Sequence, residues 1–405
     1  HADFLSQALA KLDPAAVNNL HVVQSNLALS SHLDLFERGI AKRLDFCFSG
    51  DQGVRMARLV KDGRIELGAI HTYLELYSRY FVDLTPRVSF IAAQSADSEG
   101  NLYTGPNTED TPAIVEATAF KNGILIAQVN EHMPRVHGDA WLHVSEVDAL
   151  VEHSAPLFEL PVPPIRAEDE AMGRTIAGMI PDGATIQLGI GGVPSAVARA
   201  LSNHNDLGVH TEMFVDALVE LIEVGVVTNR RKTFHRGKTV FTFAAGSQRM
   251  YEFLDDNPMI EAHPVSYTNL PANVARNESF VSVNSTIEID LTGQCCSESI
   301  GPVQWSGTGG QHDFARGAFD SPGGKSIIAF YSTAKKGEVS RVVPVLHPGA
   351  VVTTPRTEVH WVVSEYGAAC LKGRCNAERA TALIGLAHPK FRAELTAEAK
   401  RLRYL

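Results

Sequence analysis

Three stretches of the chain hold groups whose types and spacing could do chemistry. The first is Asn284-Ser-Thr-Ile-Glu-Ile-Asp290, an alternation that puts Thr286, Glu288 and Asp290 on one side of a strand and Ile287 and Ile289 on the other. A carboxylate among isoleucines is costly to bury unless it is paired or used, which makes Glu288 a candidate covalent nucleophile. An acid on a strand face is more commonly just solvated, and spacing alone does not choose between the two. The second stretch, Ile186-Gln-Leu-Gly-Ile-Gly-Gly-Val-Pro-Ser195, runs from a strand through Gly189, Gly191 and Gly192 into a helix beginning near Pro194. Glycines there admit close backbone approach, and a helix N-terminus offers free N–H groups to a phosphate or oxyanion. The same turn could equally join strand to helix and bind nothing. With Ser195 three residues after Gly192, it falls short of a dinucleotide fingerprint. The third stretch, 306–317, holds Gly307, Gly309 and Gly310 and could aim consecutive N–H groups at a developing oxyanion, with Arg316 and Lys325 nearby as cations. Its plain alternative is a glycine-rich surface hairpin.

Metal chemistry lacks a complete ligand set. His210-Thr-Glu-Met213, the pair Cys295-Cys296, and Cys370 with Cys375 each offer two ligands or fewer, so no metal is expected. The cysteines read as packing residues, and His360 and His388 as satisfied structural histidines.

These stretches need a scaffold. Short apolar runs at 20–24, 44–48, 87–93 and 122–129 read as buried strands, with helical spacing at 33–42 and 52–61 between them. This is the alternation of an α/β domain with a mainly parallel sheet. Four prolines within 155–165 mark an extended connector and the best domain boundary, giving domains 1–160 and 161–405. Beyond it the pattern restarts, with a helix at 168–179, a strand at 185–188, a helix at 194–201, and strands at 239–243, 280–283, 326–330, 339–345, 350–353 and 359–363. Residues 376–405 read as helix interrupted at Pro389.

Composition narrows the function classes. A chain of 405 residues exceeds the size of one growing core, and 44% hydrophobic with 20% charged residues is ordinary for a soluble globular protein. The 36 basic and 46 acidic residues leave a net charge of −10, which argues against nucleic-acid partners and anionic membranes. Five unevenly spaced cysteines suit a reducing cytoplasm. No apolar run is long enough to span a membrane, and the start at His1 without an initiator Met suggests a trimmed or partial beginning.

In order along the chain, Val129-Asn-Glu131, Gly138-Asp139, His143-Val-Ser-Glu146, Leu188-Gly-Ile-Gly-Gly192, the 284–290 stretch, Ser297-Glu-Ser-Ile-Gly301, the 306–317 loop, Ser364-Glu-Tyr-Gly367 and Ala387-His-Pro389 resemble the acetyl-CoA hydrolase/transferase family, particularly its 4-hydroxybutyrate CoA-transferases. The resemblance implies two similar open, mainly parallel-sheet α/β lobes with the active site between them, and a homodimer or higher oligomer. It implies Glu288 as nucleophile, the loop of Gly307, Gly309 and Gly310 as oxyanion site, and Gly189, Gly191 and Gly192 as a CoA-site turn. Glu365, Asn284 and Gln311 would support them. Coenzyme A would be a substrate rather than a resident cofactor, exchanged between an acyl-CoA and a small carboxylic acid through a glutamyl-CoA thioester. The blocks Gly68-Ala-Ile-His-Thr-Tyr-Leu-Glu-Leu76 and Gly100-Asn-Leu-Tyr-Thr-Gly-Pro106 instead resemble the malonate decarboxylase α subunit. That makes malonate, itaconate or succinate as reasonable an acceptor as 4-hydroxybutyrate, with Arg79, Arg87 or Arg135 as holders of a distal carboxylate. An acyl-CoA hydrolase and a non-catalytic CoA-binding subunit remain the competing readings.

Overall fold

In the computed structural model, which describes residues 2–405, the β-branched and apolar runs become parallel strands joined by helices. The chain divides into two units, one of residues up to Leu160 with Val240–Asn269 and Gln304–Gly310, the other of Pro161–Thr239, Leu270–Val303 and Gln311–Leu405.

In the first unit, Leu20–Asn26, Ala41–Phe48 and Glu66–Ile70 form a parallel sheet in that order. Helices Ser30–Glu37 and Gly53–Lys61 make the crossovers and bury Leu33, Phe36, Met56 and Leu59 against Leu44 and Phe46. The helix expected over 33–42 ends at Glu37. There the Ile40 N–H turns back onto the Leu35 carbonyl at 2.9 Å, a C-terminal lock that releases 41–48 to the sheet. A second parallel sheet orders Val88–Ala93, Ile124–Val129 and Ala149–Glu152 around Ile91, Leu125 and Ala127.

In the second unit a six-stranded sheet runs in the order Gly208–Val209, Thr185–Leu188, Val281–Ser285, Lys325–Ala329, Trp361–Ser364 and Gly367–Cys370. All are parallel except the last, which returns antiparallel through a tight turn. The mainly parallel α/β class expected from the alternation is what forms. Strands buried on both faces explain the near-continuous apolar runs such as Ser326 to Ala329. Helices Asn376–Leu386 and Pro389–Arg401 close the chain, with Pro389 at the first position of the second helix, where its missing N–H costs nothing.

Other expected strands also differ. The 284–290 strand is two, Val281–Ser285 in the large sheet and Glu288–Asp290 in a small one, separated at Thr286 where the Thr286 N–H still reaches Ala329 O. The 339–345 run breaks into Val339–Ser340 and Val342–Val343, and 350–353 is not a strand. Among the described residues, no helix is long and apolar enough to cross a membrane.

Candidate active site

The large sheet carries the glycine turn at a change of strand order. After Thr185–Leu188 the chain places Gly208–Val209 on one side, then returns with Val281–Ser285 on the other. Strand order reverses at this point, and in open parallel sheets ligands bind where it does, outside the carboxyl ends of the strands. Gly189, Gly191 and Gly192 leave one of these two ends and Asn284 lies near the other. They are coupled by the Asn284 amide donating to Gln187 Oε1 at 3.2 Å.

Beyond Asn284, the short strand Glu288–Asp290 pairs antiparallel with Cys295–Cys296 and parallel with Val342–Val343. Glu288 and Asp290 are both buried, yet their surroundings differ. Asp290 accepts four hydrogen bonds, from the N–H and hydroxyl of Thr292 and the N–H and amide of Gln294, at 2.5 to 3.0 Å. It is a turn former. Glu288, its side chain 10% exposed, accepts among the described residues only from His347: the backbone N–H at 3.2 Å on Oε1 and ring Nδ1 at 2.5 Å on Oε2. A carboxylate has about four acceptor positions, so about half of those on Glu288 stay open.

Around this carboxylate stand groups that spacing did not reveal. Arg341 donates to Ile287 O at 3.1 Å, and its Nε has no partner among the described residues. Burial lowers its pKa from the usual arginine value, while Tyr331, Glu288 and Glu365 pull the other way. Arg341 and Arg166 each lie within 6 Å of the Tyr331 ring centre, at 5.8 and 5.7 Å. The Tyr331 hydroxyl donates to the buried Asp169 at 2.6 Å, and burial followed by that bond pushes its pKa up to about 12. Ser332 next to it donates to Glu365 through both N–H (3.0 Å) and hydroxyl (2.5 Å), fixing Glu365 in the hairpin after Trp361–Ser364. Gln311 opens helix Gln311–Asp320 and donates to Thr354 Oγ1 at 3.0 Å, steadying the segment bridged to Cys295.

The glycine turn carries an unexpected neighbour. Gly191 has φ +110 and precedes helix Gly192–Ala200, while a side chain on Gly192 would run into the Asp169 carboxylate. The first turn of this helix thus already faces one negative charge.

In the first unit, the loop Gln304–Gly310 is sewn to the carboxyl end of Ala41–Phe48. Ser49 N–H donates to Ser306 Oγ at 3.3 Å, the Ser49 hydroxyl to Trp305 O, and Gly309 N–H to Cys47 O at 3.0 Å. Gly309, at φ +57, therefore shapes the loop while its own N–H is already committed. Gly307 packs on the Cys47 backbone so closely that no side chain fits. The alternative of a surface hairpin over 306–317 does not form; the stretch is this loop running into helix Gln311–Asp320.

Of the three arginines, Arg79 is held by Asp83, the residue that caps the end of its helix Tyr73–Val82, with Glu75 at 3.8 Å. Arg87 is exposed just before Val88–Ala93. Arg135 lies on the Tyr103 ring at 4.4 Å, its Nε without a partner among the described residues. His388 is satisfied by the Lys390 N–H at 3.3 Å. His360 Nδ1 has no such partner, and burial, then Lys372 and Lys325, lowers its pKa to about 4. His347 and Arg341 were missed because they are 59 and 53 residues from Glu288; the turn-forming His347-Pro-Gly349 was the one local signal.

Comparison with known proteins agrees with this architecture. Residues 1–169 match the family model "Malonate decarboxylase, alpha subunit, transporter", and 246–399 match "Acetyl-CoA hydrolase/transferase C-terminal domain". The chain is similar to a succinyl-CoA:cyclohexane-1-carboxylate CoA transferase of Geobacter metallireducens, 51% identical over 69% of this chain and 64% of that protein, so the match spans just under two thirds of that relative. It is similar to a 4-hydroxybutyrate coenzyme A transferase of Clostridium kluyveri, 48% identical over 78% of this chain and 72% of the other. The crystal structure of RipA from Yersinia pestis superposes with a TM-score of 0.86 at 36% identity, covering 99% of this chain and 97% of that one. Both resemblances read from the sequence are thereby found, and the chain belongs to the acetyl-CoA hydrolase/transferase family, whose curated members at 41–51% identity are named CoA-transferases.

Proposed function

We propose that this chain is a CoA-transferase that moves CoA between an acyl-CoA and a short carboxylic or dicarboxylic acid through a thioester on Glu288. One observation supports the reading: three residues beyond the end of Val281–Ser285, Glu288 is a carboxylate that is buried, held in one pose by His347, and left with open lone pairs. A buried acid serving only structure would be saturated with donors, as Asp290 is.

Glu288 attacks the thioester carbonyl carbon. A C–O bond forms, the C–S bond breaks, and CoA leaves as thiolate, giving a mixed anhydride. The thiolate then attacks Glu288 Cδ, the bond from Cδ to the bridging oxygen breaks, and the first acid departs as carboxylate. An acceptor carboxylate reverses both steps. No proton is consumed and bond energies nearly balance, so positioning and oxyanion stabilisation carry the rate. The loop of Gly307 and Gly310 is assigned the substrate oxyanion, and Gly189 with Gly191 the backbone contact to CoA. The malonate-decarboxylase-like first unit favours a dicarboxylate, while the relatives named for succinyl-CoA, 4-hydroxybutyrate, butyrate and acetate span a range of short acids. Arg135, stacked on Tyr103 with its Nε unpaired among the described residues, is a candidate holder of the distal carboxylate.

The test pairs an acyl-CoA with and without a panel containing acetate, succinate, malonate, itaconate and 4-hydroxybutyrate. Transfer predicts new acyl-CoA products and, after borohydride, a reduced Glu288 in wild type that is absent from Glu288→Ala. CoA release unaffected by any acid, or equal labelling of both proteins, overturns the proposal.

A further inference from the structure

The contact between His347 and Glu288 goes beyond assignment of the nucleophile, on whose transfer role this inference rests. We propose that His347 is the positioning residue of Glu288 and the donor that stabilises negative charge on the Glu288 carbonyl oxygen during the second half of each transfer.

Two observations set this contact apart from a chance surface pair. A single residue reaches both carboxylate oxygens, by its main chain on Oε1 and its ring on Oε2, which fixes the plane of the carboxylate as well as its place. The segment that delivers His347 is also clamped at both ends to the neighbourhood of the nucleophile. Before it, Ile289 N–H donates to Arg341 O at 2.9 Å, Arg341 donates to Ile287 O, and Val342–Val343 pairs with Ile289 and Asp290. After it, Ala350 N–H closes a turn on His347 O at 2.9 Å, Val351 N–H donates to Ser299 Oγ at 3.2 Å, and Ser297 N–H donates to Thr353 Oγ1 at 2.9 Å. The ring is half exposed on its other side, so the residue covers the carboxylate without sealing it.

The inequality of the two contacts assigns the oxygens. Oε1, with the longer bond, gives up its donor most easily and attacks the acyl carbon. Oε2 keeps the ring N–H and becomes the carbonyl oxygen of the anhydride. When CoA thiolate adds to Cδ, the electron pair moves onto Oε2, where Nδ1–H already points; it returns as the bridging C–O bond breaks and the carboxylate leaves. His347 holds a hydrogen at Nδ1 throughout and transfers none, since an imidazole N–H facing a carboxylate is the donor tautomer.

The experiment follows formation of the borohydride-reducible adduct on Glu288 by peptide mass, in rapid-quench time courses, for wild type, His347→Ala and His347→Asn, with KM and melting temperature for each. The Asn amide can place an N–H near the site of Nδ1. Expected for His347→Ala is a loss of about 10- to 100-fold in adduct formation and kcat, with KM for acyl-CoA within about threefold and an unchanged melting temperature, and recovery of about tenfold in His347→Asn. Wild-type adduct kinetics in His347→Ala overturns the proposal. So does an Asn variant as slow as Ala with both melting points lowered, which indicates a structural contact only. Absence of any adduct on Glu288 in wild type overturns the transfer reading itself, and this proposal with it.

Discussion

Gly307→Ala tests whether the glycine-rich loop is placed by direct backbone contact. A Cβ on Gly307 would lie 2.5 Å from the carbonyl carbon of Cys47, 3.0 Å from its Cα, and nearer still to its oxygen. Comfortable carbon contacts begin near ~3.5 Å, so something must move by roughly 1 Å. Cys47 sits within the central strand of a parallel sheet, between Leu20–Asn26 and Glu66–Ile70, and that ladder resists displacement. The loop yields instead. A misplacement of about 1 Å in a positioning element costs on the order of 100-fold in rate. Gly309 is the control, because a Cβ there meets only the Phe48 ring, at 3.8 Å, while φ of +57 makes any side chain strained by about 1–2 kcal/mol. Steady-state kinetics and thermal melts separate the two. Gly307→Ala should lose about 100-fold in kcat with a smaller change in KM for acyl-CoA; Gly309→Ala should lose about 1 kcal/mol of stability and less than ~10-fold in kcat. Wild-type kcat in Gly307→Ala, or Gly309→Ala as the slower enzyme, refutes the reasoning.

The two buried carboxylates of Glu288–Asp290 should respond oppositely. Asp290→Ala strips four donors of their acceptor and should cost about 3 kcal/mol in urea unfolding, whereas Glu288→Gln should stay within about 1 kcal/mol while abolishing the adduct. Tyr331→Phe removes the donor holding Asp169 beneath Gly192, so KM for acyl-CoA should rise several-fold more than kcat falls; equal KM values for the two proteins would show that this support is irrelevant to binding. His360 is kept neutral in the fold down to about pH 4, mainly by burial, while in the unfolded chain it protonates below about 6.5. The unfolded state therefore binds more protons between these values, and the stability held in full above about pH 6.5 declines as pH falls toward 4. Because the ring is partly exposed, the loss is on the order of 1 kcal/mol, and His360→Gln should flatten it in urea titrations at pH 7 and 4.5.

Period-2 and period-3.6 patterns served well wherever one periodicity ran its full length, as in Ile124–Val129 or Gly53–Lys61. They failed where hydrogen bonding to distant partners overrode them. The alternation of 284–290 is intact in sequence, yet Thr286 bonds across to Cys296 O, and the chain leaves one sheet for another. The 350–353 run is β-branched but is held by backbone N–H bonds to the side-chain acceptors Ser299 Oγ and Thr353 Oγ1 and by bonds to Cys295 O rather than by a ladder. Gly307 and Gly309 stood out as glycines. That one is required by contact and the other by φ depends on Cys47, some 260 residues earlier, which no local pattern encodes.

The contrast between Glu288 and Asp290 shows what kind of information a sequence withholds. Asp290 is followed within four residues by Thr292, Gly293 and Gln294, so its donors are local and its structural role could be inferred from an acid-led turn. Glu288 has the same burial and strand face, but its donors come from one residue 59 positions away. Burial alone therefore does not mark a nucleophile, because both acids are buried. What separates them is the number of acceptor positions left unfilled. Four local donors leave Asp290 with nothing to offer a substrate, whereas two donors from His347 orient Glu288 and leave it the open acceptor positions that the proposed attack requires.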